Sequence, residues 1–364
     1  TVEDIRYKWE GVKDLYGKPL ARPNALAKAC GVCDYGDDLA LKMPEGTLQA
    51  VLVMPRVTNH ANILNIDISA AEKVPGVVKV ITAQDVRDAG CKNALTPFTC
   101  QPRTVVFDNV HTLIQDKKIV NWGNVIAIAV ADTKEHAQQA AELVRMDYEQ
   151  LPEYMSYLEA VIPDAIEIHP GVPNIYSRFP VRKGDADDVP EIIEDSTFSV
   201  EGSFYASREP HMSIEGDTVQ AYYDEDGMLT VHCKSMTNYF DRDDVAEAVG
   251  EDPENVRIVE NPTGGSFGWA MNAGSYALGA MATKVTQKPI ALHIDYSQFM
   301  AFSGKRSPAY MNGSLSCDEN GMITAGQFDV GLDHGSYHEL GDDKLMRISR
   351  FMFFPYYIPN ALGV

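Results

Sequence analysis

The chain has 364 residues, 45% of them hydrophobic and 23% charged, which suits a globular protein with room for two or three domains. Its 31 lysines and arginines face 52 aspartates and glutamates, and a formal charge of -21 repels a phosphate backbone, so nucleic acid is not an expected partner. No apolar run approaches the roughly 20 residues of a membrane helix and residues 1–10 lack the apolar core of a signal peptide, so the chain reads as cytoplasmic with no membrane span.

Residues 1–21 are polar and broken by Gly11, Gly17 and Pro19, the pattern of a linker or wrapping arm. Strand-length apolar runs follow at 48–54, 77–82 and 125–131, and a short segment at 69–73 stops at Pro75 and Gly76. A helix is expected over 134–144. Ala137, Ala140, Ala141 and Val144 form its apolar stripe, and Asp132 with Glu135 resembles a capping box. This first unit mixes α and β and closes near residue 150. Proline, glycine and acidic residues dominate 151–195, which reads as a long connection over the surface. Beyond it, Phe198, Val200 and Phe204 alternate with polar positions, as in a half-buried strand. Residues 219–223 and 228–232 flank Asp224, Glu225, Asp226 and Gly227, a hairpin pattern that returns over 315–323 around Asn320 and Gly321. Between the hairpins a short helix is expected, with Asp241 as cap, Val245, Ala248 and Val249 inward, and Gly250 as stop. The stretch 351–358 is nearly all apolar, which suggests either further protein packed against it or a chain cut within a domain.

The six cysteines are Cys30, Cys33, Cys91, Cys100, Cys233 and Cys317. Only Cys30 and Cys33 are near enough to form a metal pair, and no second pair completes a zinc or cluster site. They read as small buried residues of a reducing compartment. His334 and His338 are four apart, but Gly335 argues against a helix and no glutamate stands between them, so no metal site is expected there.

One stretch points to ligand chemistry. An apolar run from Val256 to Val259 leads into Gly264, Gly265, Ser266, Phe267 and Gly268, and Tyr276, Ala277, Ala280 and Met281 follow with helical spacing. Backbone N–H groups at such a junction suit an anionic or oxo ligand. Thr263 stands where a dinucleotide fingerprint needs its first glycine, and the phosphate-loop ending is absent. On spacing alone a tight turn is the first reading and a ligand site the second. Upstream, Arg208, Glu209, His211 and Glu215 follow a strand and by themselves suggest only a surface ion pair.

Taken in order, several segments become specific. They are Arg22-Pro23, residues 34–38, His60-Ala61-Asn62-Ile63, Val74-Pro75-Gly76-Val77, Glu209-Pro210-His211, the glycine loop, Gly304-Lys305-Arg306-Ser307-Pro308 and residues 333–337. Over essentially its whole length the chain resembles the molybdenum hydroxylases of the xanthine oxidase family. Within them it is most similar to bacterial aldehyde oxidoreductases of the molybdopterin cytosine dinucleotide type. The resemblance implies an α+β fold: an α/β hammerhead domain at 22–150, a connecting segment at 151–195, and an incomplete first part of the molybdopterin-binding domain over 196–364.

The resemblance also implies roles. Gly264, Gly265, Ser266, Phe267 and Gly268 would lie against the cofactor, with the Gly268 N–H meeting an oxo ligand and no residue of this chain coordinating the metal. Glu209 stands where glutamine is usual, so a carboxylate there either repels an anionic centre or must be protonated to donate. Ala270 replaces a frequent lysine. Met271 stands where purine-oxidising members carry glutamate, which favours aldehydes as substrates. The [2Fe–2S] domains, any flavin domain, the later pterin-binding loops and the general-base glutamate would come from other polypeptide, so the chain alone is expected to be inactive. Two other readings stand beside this one: hydroxylation of an N-heterocycle, and a non-catalytic paralogue that assembles without metal.

Overall fold

The structure, a computed structural model, describes residues 22–96, 111–337 and 341–363. The expected arm at 1–21, Cys100 and His338 lie outside the described residues.

The apolar runs become the centre of a seven-stranded sheet. Its order is Val256–Glu260, Leu229–Cys233, Thr218–Tyr223, Ile290–His293, Leu48–Val53, Ala127–Ala131, Val77–Ile81. Every residue of Ala127–Ala131 is buried, as expected of a strand covered on both faces. The two-residue period divides its side chains: Ile128 and Val130 enter one core, Ala127 and Ala129 another. The helix Gly274–Thr286 covers the first face and packs so closely that a Cβ on Gly279 would lie 2.9 Å from Val219 Cγ1. The helix Lys134–Leu143 packs the opposite side through Ala137 and Ala140.

The sheet joins segments far apart in the chain. Leu48–Val53 runs parallel to Ile290–His293, with Leu48 opposite Ile290 and Val51 opposite His293. A five-stranded sheet, in the order Phe198–Ala206, Ala309–Cys317, Ile323–Leu332, Asn360–Gly363, Val181–Lys183, forms beside it. The proline-rich stretch 151–195 therefore carries structure of its own: it supplies Val181–Lys183 as an outer strand and the helix Val189–Asp195.

Four local expectations change. The helix at Lys134 is capped by Thr133, whose Oγ1 accepts from His136 N at 3.2 Å, while Asp132 shares a hydrogen bond with His136 Nδ1 at 2.6 Å. Asp132 lies one residue too early to reach the first-turn amides. Asp241 is not a cap either. The loop after Cys233 is short, the helix already begins at Asn238, and Asp241 sits buried inside its first turn. Phe198–Ala206 is a strand but not half-buried, because it is the edge of its sheet and leaves Phe198, Val200 and Phe204 exposed. Of the described cysteines only Cys91 and Cys233 are buried; Cys30 is exposed, while Cys33 and Cys317 are half-buried.

Gly250 ends its helix in the left-handed conformation as expected, and both hairpins form. Near the end of the described chain Phe353 packs edge-on to Phe328, whereas Phe351, Phe354, Tyr356 and Tyr357 remain exposed.

Candidate functional site

The strand Val256–Glu260 runs parallel to Leu229–Cys233 and delivers the glycine loop to the carboxyl end of the large sheet. There the loop is pressed against residues 213–215. A Cβ on Gly264 would lie 2.9 Å from Glu215 Cβ, and one on Gly265 would lie 2.9 Å from Ser213 Cβ. Phe267 and Gly268 then turn the chain with φ of 52° and 91°, a left-handed pair that favours glycine. A 3₁₀ turn, Trp269–Met271, comes next, and the long helix begins only at Gly274. The loop amides therefore do not lie at that helix's N-terminus, contrary to the junction expected from spacing.

The amide hydrogen bonds show what the loop offers. Gly264 N donates to Glu215 Oε2 at 2.5 Å. Gly268 N and Ala270 N both donate to Ser266 Oγ, at 3.2 and 3.1 Å, and Trp269 N donates to Ser266 O at 3.0 Å. Among the described residues, no protein group accepts from the N–H of Gly265, Ser266 or Phe267. Three successive amides thus stay available to an oxygen ligand, while the Gly268 N–H is held by its own loop. Beside them Phe267 is mostly exposed, and Met271, whose N–H donates to Gly268 O at 3.3 Å, exposes nearly half its side chain.

Beneath the loop lies a polar cluster that the sequence reading missed. Trp269 Nε1 donates to Asp217 Oδ2 at 2.7 Å, and Ser275 Oγ donates to the same oxygen at 3.0 Å. Lys234 Nζ lies 2.9 Å from Asp217 Oδ1, with the two side chains 4% and 1% exposed. Lys234 also donates to the carbonyls of Glu215 and Gly216 at 3.2 Å each and sits 5.0 Å above the Phe299 ring. The one signal available in sequence was Trp269, directly after the loop.

Three other motif segments, at 208–211, 304–308 and 333–334, come together beside the loop. Glu209–Pro210 pairs with Lys305–Arg306, Arg208 bridges Asp333 at 3.1 Å, and Ser307 Oγ shares a hydrogen bond with His334 Nδ1 at 3.0 Å. The bridge to the loop is Trp269. Its ring lies 6.3 Å from that of His211, and a Cβ on Gly304 would lie 3.6 Å from the indole. Glu209 is exposed, and among the described residues its carboxylate has no ion pair or hydrogen bond; no contact joins it to Gly268. Burial, with the charges of Lys305, Lys234 and Lys344, holds His211 below its ordinary pKa. Burial, with Arg208, pushes Lys305 down to about 8, and burial pushes Glu215 up.

The family model described as the molybdopterin cofactor-binding domain matches residues 168–363, more than half of the chain. The chain belongs to this family. A second family model, the aldehyde oxidase and xanthine dehydrogenase a/b hammerhead domain, matches residues 30–152. The fold is thus a hammerhead followed by a fragment of a molybdenum-binding domain, the α+β arrangement that the motif order implied. The aldehyde oxidoreductase of Megalodesulfovibrio gigas is 40% identical over 361 residues, which cover 99% of this chain and 39% of that protein. The solved aldehyde oxidoreductase of Desulfovibrio desulfuricans superposes with a TM-score of 0.92 at 39% identity, covering 100% of this chain and 40% of that one. The nicotinate dehydrogenase large molybdopterin subunit of Eubacterium barkeri is 27% identical over 347 residues, 95% of this chain and 77% of that subunit. The chain thus spans about two fifths of the aldehyde oxidoreductases it matches. Among the described residues no helix is long and apolar enough to cross a membrane.

Proposed function

We propose that the chain is the molybdenum-binding component of an aldehyde oxidoreductase that converts an aldehyde and water into a carboxylic acid, two protons and two electrons. The observation that carries this reading is the row of unengaged amides at Gly265, Ser266 and Phe267 in a loop whose glycines allow close approach. Such a row fits an oxygen ligand of a molybdenum–pterin cofactor. When bound, that cofactor supplies the two-electron acceptor and the site at which water oxygen is activated.

The residues of this chain have distinct tasks. Gly264 and Gly265 let the loop lie against Ser213 and Glu215. The amides of residues 265–267 bind oxygen, and the Gly268 N–H joins them when a ligand oxygen takes the place of Ser266 Oγ as its acceptor. Met271 and Phe267 present apolar surface to the aldehyde; a thioether donates no hydrogen bond and orients a purine poorly. Glu209 occupies the position of an orienting donor and can donate only when protonated. His211, kept neutral by burial, adds no positive charge beside Trp269.

The proposal includes the cytosine dinucleotide form of the pterin, electron transfer to [2Fe–2S] clusters on further polypeptide, a flavin subunit as a further partner, and a cytoplasmic setting. It also assigns the hammerhead unit to 22–150, the connecting segment to 151–195 and the first part of the molybdenum domain to 196–364. A second reading, hydroxylation of an N-heterocycle, is favoured by the similarity to the nicotinate dehydrogenase subunit.

The test is purification of the native assembly, elemental analysis for molybdenum, nucleotide analysis after acid release, and steady-state kinetics with acetaldehyde, benzaldehyde, xanthine and nicotinate. Molybdenum with higher kcat/KM for either aldehyde is expected. A higher kcat/KM for xanthine or nicotinate than for both aldehydes overturns the substrate assignment, and absence of molybdenum overturns the function.

A further inference from the structure

Both ends of the glycine loop are tied to one buried ion pair. At the far end, Trp269 follows Gly268 directly. Its indole is wedged edge-on against Phe299 and Phe302, with ring centroids 6.4 and 5.7 Å away. Its single polar atom points at Asp217 Oδ2, 2.7 Å distant. At the near end, Gly264 N donates to the Glu215 carboxylate, and the backbone carbonyl of Glu215 accepts from Lys234, the partner of Asp217. Ser275 Oγ adds the start of the long helix to the Asp217 carboxylate, and Ala270 O accepts from Met236 N at 3.0 Å.

A buried ion pair adds little stability over well-packed apolar side chains of equal volume. Stability alone therefore does not account for a carboxylate and an ammonium placed here. Direction does. A tryptophan N–H has one donor direction, so an acceptor fixed by a counter-ion sets the rotation of the indole within its aromatic slot. That rotation places the peptide between Gly268 and Trp269, and with it the left-handed turn at residues 267–268.

We infer that Asp217 is a positioning residue for the bound cofactor, acting through Trp269 to aim the loop amides at the oxygen ligand. The inference rests on the function proposed above, in which this loop meets that ligand. Asp217 is buried beneath the loop, its side chain 1% exposed, and acts from there through Trp269. Its effect is on where the Gly268 N–H points, and a small displacement of a preorganised donor is costly.

The test uses the assembled holoenzyme carrying Asp217→Asn, Trp269→Phe, or both. Phenylalanine keeps the aromatic wedge and removes the N–H, so it isolates direction from packing. The readouts are molybdenum content, the electron paramagnetic resonance spectrum of the partly reduced metal, and kcat and KM for benzaldehyde. Each single variant is expected to retain metal, to show shifted or multiple spectra, and to lose about tenfold or more in kcat with KM little changed. In the double variant the second change adds little, because both act on one link. Native spectra and kcat in Trp269→Phe overturn the inference, whatever its melting temperature, and that variant decides the matter if Asp217→Asn does not fold. A wild-type assembly without molybdenum overturns the parent function as well. A wild-type signal that Trp269→Phe leaves unmoved overturns this inference alone.

Discussion

Replacing Lys234 by methionine isolates the energetics beneath the loop. Methionine keeps most of the apolar stem and removes the charge, together with its place over the Phe299 ring and the donors to Asp217, Glu215 O and Gly216 O. At 2.9 Å and an effective dielectric of about 20, the Coulomb attraction lost is roughly 6 kcal/mol. Relief of the ammonium's own desolvation offsets part of this, and what is left is a carboxylate buried without a counter-ion. Removing one partner of such a pair costs about 3–5 kcal/mol, a large share of a typical domain's stability. Urea denaturation followed by tryptophan fluorescence, with Trp269 beside the pair, measures the change. Adding Asp217→Asn removes the stranded charge while leaving an acceptor for Trp269 or Ser275, so the double variant should be more stable than Lys234→Met alone by about 2 kcal/mol. A loss below about 1 kcal/mol in Lys234→Met, or a double variant that falls by the sum of the singles, would refute the reasoning.

Three further outcomes are expected. Gly268→Ala meets no neighbour within 4 Å, so its cost is the backbone strain of φ 91°, about 1–2 kcal/mol in the population of this turn; reduced molybdenum retention with little change in melting temperature is the signature. Glu209→Gln should keep or raise activity in the assembly, because glutamine donates without a proton; a fall beyond about tenfold, roughly 1.4 kcal/mol, shows a role for the carboxylate itself. Burial raises the folded-state pKa of Asp241 above 3.8, so the native state holds its proton more tightly than the unfolded chain and ionisation works against folding above that raised value. Asp241→Asn still offers an acceptor to Ser235 and Thr237, so it should be at least as stable as the parent at pH 7 and lose that advantage as pH falls toward 3.8; urea melts across that range check it.

Much of the local structure was legible because periodicity reports a face. The continuous apolar run ending at Ala131 and the Asp-Gly turn at 226–227 became a core strand and a hairpin. Periodicity does not report a partner. Nothing in residues 48–53 names Ile290–His293 as the neighbouring strand, since pairing depends on what the rest of the chain leaves unsatisfied. The same limit made Phe198, Val200 and Phe204 look half-buried. Their alternation is real, but a strand at a sheet edge covers less than one in the middle. At the site, motif order brought out the glycine loop. It did not show that Ser266 occupies the Gly268 amide, because a hydroxyl two residues away is bound only once Phe267 and Gly268 turn left-handed. Asp217 and Lys234 were silent for a related reason: 17 positions separate them, and only the antiparallel hairpin of Thr218–Tyr223 and Leu229–Cys233 sets them side by side.

The parallel pairing of Leu48–Val53 with Ile290–His293 bears on how the molecule comes apart and how it was put together. Residues matched by two separate family models share one set of backbone hydrogen bonds, so neither can melt without exposing the other's strand edge. A protease nick or a gene break between residues 152 and 168 would leave two fragments that still need each other, and co-expressed halves should find one another where either half alone precipitates. Recombination that exchanged the first segment between relatives would have to carry a compatible edge, with alanine and valine at 50 and 51 meeting leucine and histidine at 292 and 293. Inheritance at this seam therefore passes through a strand register, and a one-residue slip there would send every buried side chain of Leu48–Val53 to the wrong face.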